Sequence, residues 1–268
     1  MAVSADYIRN DLKELYLRRD LNPGRRDTTG RTSTLRRVDA ANFTAQVLEI
    51  TNLGWANSDS LQLSLVKRQS RGHQYRISYT LSRTYGNVSA PGTIDTISTQ
   101  ILDDLNLEDG EARTSQDRPH VLSINGSVEV PKTFGLVFSG GMQFQSGTPF
   151  TLIDSSTDPD RNGFFQEPLP AGTYSGAASN SEAITVEYDG GFRGARGPNL
   201  FLLNLRAGYR IRLPGSRFLQ AYVDGFNVTN HVNFNTPNGD RRDTATFLIL
   251  RSASAPTRTA QFNLKYTF

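Results

Sequence analysis

The sequence predicts an all-β fold: an antiparallel transmembrane β-barrel segment of about eight long strands, with tight periplasmic turns and long extracellular loops. Three observations lead there. Apolar and polar residues alternate with period two over long stretches, short and long connections follow each other in strict turn, and aromatic residues gather at strand ends. Successive side chains of a strand point to opposite faces, so period-two alternation gives one dry face and one wet face. A helix would need apolar residues at i, i+3 and i+4, which these stretches do not supply.

The first strand is expected near 2–17, where DYIRNDLKELYLRRDL imitates a helix but is read as a strand running into its loop. The second lies near 44–68. Its LQLSL core alternates cleanly, whereas FTAQVLEITNLG can also be read as a separate extension within the preceding loop. The third, near 73–85, sets Tyr75, Ile77, Tyr79 and Leu81 against Gln74, Arg76, Ser78 and Thr80. The fourth, near 118–130, sets Leu122, Ile124, Val128 and Val130 against Ser123, Asn125, Ser127 and Glu129. In the fifth, near 134–150, Phe134, Leu136, Phe138, Met142 and Phe144 oppose Ser139, Gly141, Gln143 and Gln145.

The sixth strand, near 199–213, is the clearest. Phe201, Leu203, Leu205, Ala207, Tyr209, Ile211 and Leu213 face one way, and Asn204, Arg206, Gly208, Arg210 and Arg212 the other. RFLQAYVDGF opens the seventh, near 217–229, and QFNLKYTF ends the eighth, near 259–268, with Phe262, Leu264, Tyr266 and Phe268 on its apolar side. Most of these reach the ~9–11 residues that a tilted strand needs to cross a bilayer. SRG (70–72), PKT (131–133) and LPGS (213–216) are tight turns, while 86–116, 151–197 and 230–257 are long and rich in Gly, Asn, Asp, Ser, Thr and Pro. Their alternation gathers the turns at one end of the sheet and the loops at the other. A soluble carbohydrate-binding β-sandwich would alternate too. The strands exceed its usual length of about 5–6 residues, and Tyr209, Phe134, Phe144, Tyr266 and Phe268 sit where a membrane barrel carries interfacial aromatics.

Composition agrees. No apolar run is long enough for a transmembrane helix, and the chain has no cysteine, so disulfides and thiolate metal sites are excluded. The net charge of +3 is not gathered in one block, so no nucleic-acid partner is expected. The densest basic run, RRDTTGRTSTLRR (25–37), reads as a solvated loop, and MAVSADYIRNDLKE lacks the basic and apolar regions of a signal peptide. No nucleophile-elbow, Walker or dinucleotide motif is present, so neither an enzyme nor a cofactor is expected. His73, His120 and His231 lie far apart and read as ordinary surface histidines. DPDRNG (158–163) has the opening of a calcium loop through Asp158, Asp160 and Asn162, but Leu169 stands where a bidentate Glu belongs, and a polar turn is the simpler reading. Arg76, Glu129, Gln143, Gln145, Arg206, Arg210, Arg212 and Asp224 are expected to face the lumen, where they pair across strands or line a passage.

RPHVLSINGSVEVP (118–131), GGMQFQSGTPFTL (140–152), FRGARGPNLFLLNLRAGYRIRLPG (192–215) and LQAYVDGFNVTNHVNFNTP (219–237) together resemble the end of a TonB-dependent receptor barrel. The likeness is to the Oar-like type, which carries a carboxypeptidase-regulatory-like domain. FNVTNHVNF nearly reproduces that family's FNLxNHxNF, and LSLVKRQSRGHQYRISYTLSRTYG (63–86) is similar to its upstream hairpin. The resemblance implies an outer-membrane location and a role in uptake of a scarce nutrient. It also implies that residues 1–268 are the C-terminal part of a receptor, without plug or signal peptide. Its implied partners are outer-membrane lipid, the remaining barrel and plug, TonB through the plug, and a small-molecule or peptide substrate. It makes Phe262, Leu264, Tyr266 and Phe268 the signal read by the barrel assembly machinery. The alternative is an autonomous small outer-membrane barrel acting as an adhesin or passive pore.

Overall fold

The computed structural model describes residues 1–88, 103–104, 106–133, 135–187, 191–215 and 217–268. Phe134 lies outside the described residues. Eight long strands run in chain order: β1 (Ala2–Asp20), β2 (Leu48–Ser70), β3 (His73–Gly86), β4 (His120–Glu129), β5 (Leu136–Gln145), β6 (Leu200–Leu213), β7 (Arg217–Phe226) and β8 (Thr259–Thr267). Each pairs antiparallel with the next, so the sheet is a simple meander. The short segment Ala112–Arg113 adds to the upper end of β3. β1 and β8 do not pair with each other, and the sheet is open.

The doubtful stretches resolve as strand. β2 is continuous from Leu48 and pairs with β1 up to Asp20, so only 44–47 of the expected extension stays in the loop. The helix-like segment of β1 is strand with two register shifts between Leu12 and Leu17, and Glu14 there has φ of 56°. An extra residue in one strand lets the chain bend without leaving the ladder. Strand ends elsewhere fall within a few residues of expectation, except that β5 stops at Gln145 and Pro149–Phe150 turns away to pair with Ala195–Arg196. At the β2–β3 turn, Arg71 (φ 52°) and Gly72 (φ 80°) both take positive φ, as a two-residue type I′ hairpin requires. Among the described residues the helical content is one 3-10 turn, Leu107–Gly110.

The long loops are folded, contrary to the expectation of a solvated basic run. They share a core of Leu152, Leu169, Ile184, Val186, Ala195, Phe247 and Leu248, against which Phe150 and Tyr174 pack. A smaller cluster of Leu17, Ala56 and Val88 seals the upper ends of β1 and β2. Within 25–37, Gly24–Arg26 pairs with Leu35–Arg37, and its arginines join neighbouring segments. Arg37 reaches Asp20 (2.9 Å), Arg25 reaches Asp103 (2.9 Å) and Arg26 reaches Asp158 (3.4 Å). Arg196 meets buried Asp117 at 2.5 Å, and buried Arg193 donates to the Arg113 carbonyl at 3.1 Å. Removing one partner of such a partly buried pair leaves an uncompensated charge, so the pairs fix the loops to one another.

Candidate functional site

Strand register puts all eight expected lumen residues on one face. Arg76 stands opposite Asn125, which opposes Gly141 and then Asn204; Gln143 and Gln145 oppose Leu202 and Leu200. Arg206 opposes Asp224, Glu129 leads through Val137 to Gly208, and Arg210 and Arg212 continue the same side of β6. Arg206 grips Asp224 with two donors (2.5 and 3.1 Å), stacks 4.2 Å over Tyr222, and shares the carboxylate with Asn263 (2.9 Å). With its amide oxygen facing the guanidinium, Gln220 accepts from Arg210 at 2.5 and 2.9 Å. This face can hold polar or anionic groups.

The opposite face is apolar in rows that cross the sheet. Leu63, Tyr79, Leu122, Phe144 and Phe201 form one, and Leu65, Ile77, Ile124, Met142 and Leu203 the next. On β8, Phe262, Leu264 and Tyr266 continue that face at 68%, 64% and 50% exposure, with Phe268 beyond at 96%. A soluble domain would not display so much contiguous aromatic and aliphatic surface. His120 shares this side, accepting or donating at 2.8 Å with the Tyr79 hydroxyl and stacking on its ring, and His231 meets Phe201 edge-on at 5.9 Å. His73 lies at the turn end, against Lys67.

In the loop cap, Asp158, Asp160 and Glu167 each bring a carboxylate oxygen within 4.8 Å of the others. Asp158 is wholly buried and accepts from the amides of Asn162 (3.1 Å) and Gly163 (3.0 Å), while Asn162 turns its amide to Asp160 (2.9 Å). Burial raises the pKa of Asp158 above the ordinary carboxyl range. Burial, then the charges of Asp160 and Asp158, push Glu167 up to about 7. The arrangement can keep a proton among three carboxyls or, with that proton displaced, offer oxygens to a hard cation. Arg26 already offsets part of the charge. Leu169 is buried in the cap core, and it is Glu167, two residues earlier, whose carboxylate comes near Asp158 and Asp160. Only the fixed spacing of the motif hid it.

A family model for an outer membrane beta barrel domain matches residues 1–261. The chain belongs to this family. No curated protein matches it. Membership places the chain in the outer membrane, and it gives the two faces their meaning: a barrel of this family turns alternate residues to lipid and to its interior. No helix of the described residues is long and apolar enough to cross a membrane.

Within this outer-membrane barrel domain, FNVTNHVNF has a structural role that pattern reading did not find. Buried Asn233 accepts from the Phe201 amide (2.6 Å) and donates to the Phe201 carbonyl (3.0 Å), standing in for a strand at the top of β6. Asn227, also buried with φ of 45°, donates to the carbonyls of His231 (2.9 Å) and Pro256 (3.1 Å). The two amides end β6 and β7 cleanly where the loop leaves.

Proposed function

We propose that this chain is part of the barrel wall, with external loop cap, of a TonB-dependent receptor of the Oar-like type, taking part in uptake of a scarce nutrient. The observation that carries the reading is an eight-stranded sheet whose two edge strands are unpaired and whose polar face is lined by Arg76, Glu129, Gln143, Gln145, Arg206, Arg210, Arg212 and Asp224. Lipid tolerates no open sheet edge, because its hydrocarbon cannot hydrogen-bond the free amides and carbonyls. Further strands would complete such a sheet, and a wide lumen filled by a plug would use its polar face. The cap would contribute substrate contacts, and energy would come through TonB. β8, with Phe262, Leu264, Tyr266 and Phe268, would be the strand that the assembly machinery engages by edge pairing.

The test is growth of a strain lacking this gene on siderophore-bound iron, cobalamin, oligosaccharide or peptide as the limiting nutrient. The reading expects a defect on one of them, reproduced by disabling TonB in the wild type. A defect on none, or one that TonB loss does not reproduce, contradicts it. The strand count favours a second reading, since eight strands are enough to close a small barrel. A passive pore of that kind would keep its conductance without TonB.

A further inference from the structure

Charge is divided unequally between the two ends of the sheet. At the turn end, VKRQSRGH, VPKTFG and LPGSR carry Lys67, Arg68, Arg71, Lys132 and Arg217 with His73, and no Asp or Glu. Among the described residues the ion pairs engage arginines of the upper strands, the loops and Arg206, and none engages these five cations. Arg68, Arg71, Lys132 and Arg217 are exposed. Short turns of this family lie on the periplasmic side, so the basic rim meets the inner leaflet.

Beside that rim the lipid-facing surface is notched. One cross-strand row runs Tyr75, Gly126, Gly140, Leu205, Gly225 and Ala260, so three of its six positions have no side chain. An almost wholly apolar groove of about 710 Å³ results, walled by Val128, Phe138, Ala207 and Val223, with His73 at its rim.

We propose that this end of the sheet is a binding site for an anionic glycerophospholipid of the periplasm-facing leaflet. One acyl chain lies in the glycine notch, and the headgroup phosphate rests among Lys67, Arg71 and His73. Charge complementarity selects the occupant: each Lys or Arg near an anionic leaflet strengthens binding roughly fivefold, and the five cations outnumber Glu129, whose backbone amide donates to the Gly72 carbonyl at this end. The inference rests on the outer-membrane location alone and is independent of the transport reading.

The test uses the full chain in phosphatidylcholine vesicles, with electron paramagnetic resonance of spin-labelled phosphatidylglycerol and phosphatidylcholine bearing the same acyl chain. The native chain should immobilise phosphatidylglycerol at least about fivefold more than phosphatidylcholine, with the preference fading as salt rises from ~0.01 to ~1 M. Replacing Lys67 and Arg71 by Gln should bring the two lipids together, and Ala207→Phe should lower the immobilised fraction of both. Equal immobilisation of the two lipids by the native chain overturns the proposal, as does a preference indifferent to salt. The salt series needs no variant, so a misfolded variant cannot obscure the answer.

Discussion

At the scale of single residues, Asn233 supplies both a donor and an acceptor to the backbone of Phe201, beyond Leu205, where the pairing of β6 with β7 ends. Removing the amide strands two buried backbone groups, each of which costs free energy when left without a partner. Asn233→Ala should therefore destabilise the β6 end by about 2 kcal/mol. The check is amide exchange at 200–202, which should quicken there well before the middle of β6. Glu167 gives a second residue-scale prediction. Its pKa in the folded cap is about 7, above the ordinary carboxyl value, so the folded state holds a proton that the unfolded segment releases. That contribution is fully present below about pH 4.3 and is lost as pH rises through about 7. Proteolysis of the 154–168 segment should accelerate between those limits, and Glu167→Gln should flatten the dependence.

At the scale of elements, the strands were legible because their signal is local. Period two needs only neighbours in sequence, and it placed Arg76, Glu129, Gln143, Gln145, Arg206, Arg210, Arg212 and Asp224 on one face, as the register does. The cap was not legible, because its contacts join residues far apart with no period. Leu152 and Leu169 meet Phe247 and Leu248, and Arg26 meets Asp158 across more than a hundred positions. Glu167 escaped for a different reason: it stands two positions before the one that the calcium-loop spacing singles out. Adjacent positions on β6 test the meaning of the faces. Leu203→Arg, on the apolar face, should cost about 2–4 kcal/mol in vesicles, while Leu202→Arg, turned the other way, should be tolerated. Urea unfolding of the two variants decides. For β8, deleting Phe268 should reduce the amount of chain inserted in the outer membrane without changing its synthesis, as counted by membrane fractionation.

At the scale of the whole molecule, one sheet separates two media, and a loop cap with its own core covers one end of it. The apolar rows cover one face, the polar rows with the Arg206–Asp224 pair cover the other, and the cap holds its shape through partly buried ion pairs, a shared core and short paired strands. The absence of cysteine lets this be measured one position at a time. Single cysteines placed in turn from 201 to 213 on β6, in membranes, would be challenged with a water-soluble maleimide and with a lipid-soluble one. Even positions should react with the first and odd positions with the second, alternating without a break along the strand. Equal reaction of odd and even positions with the water-soluble reagent would contradict it, for the apolar face would then lie in water and not in a membrane.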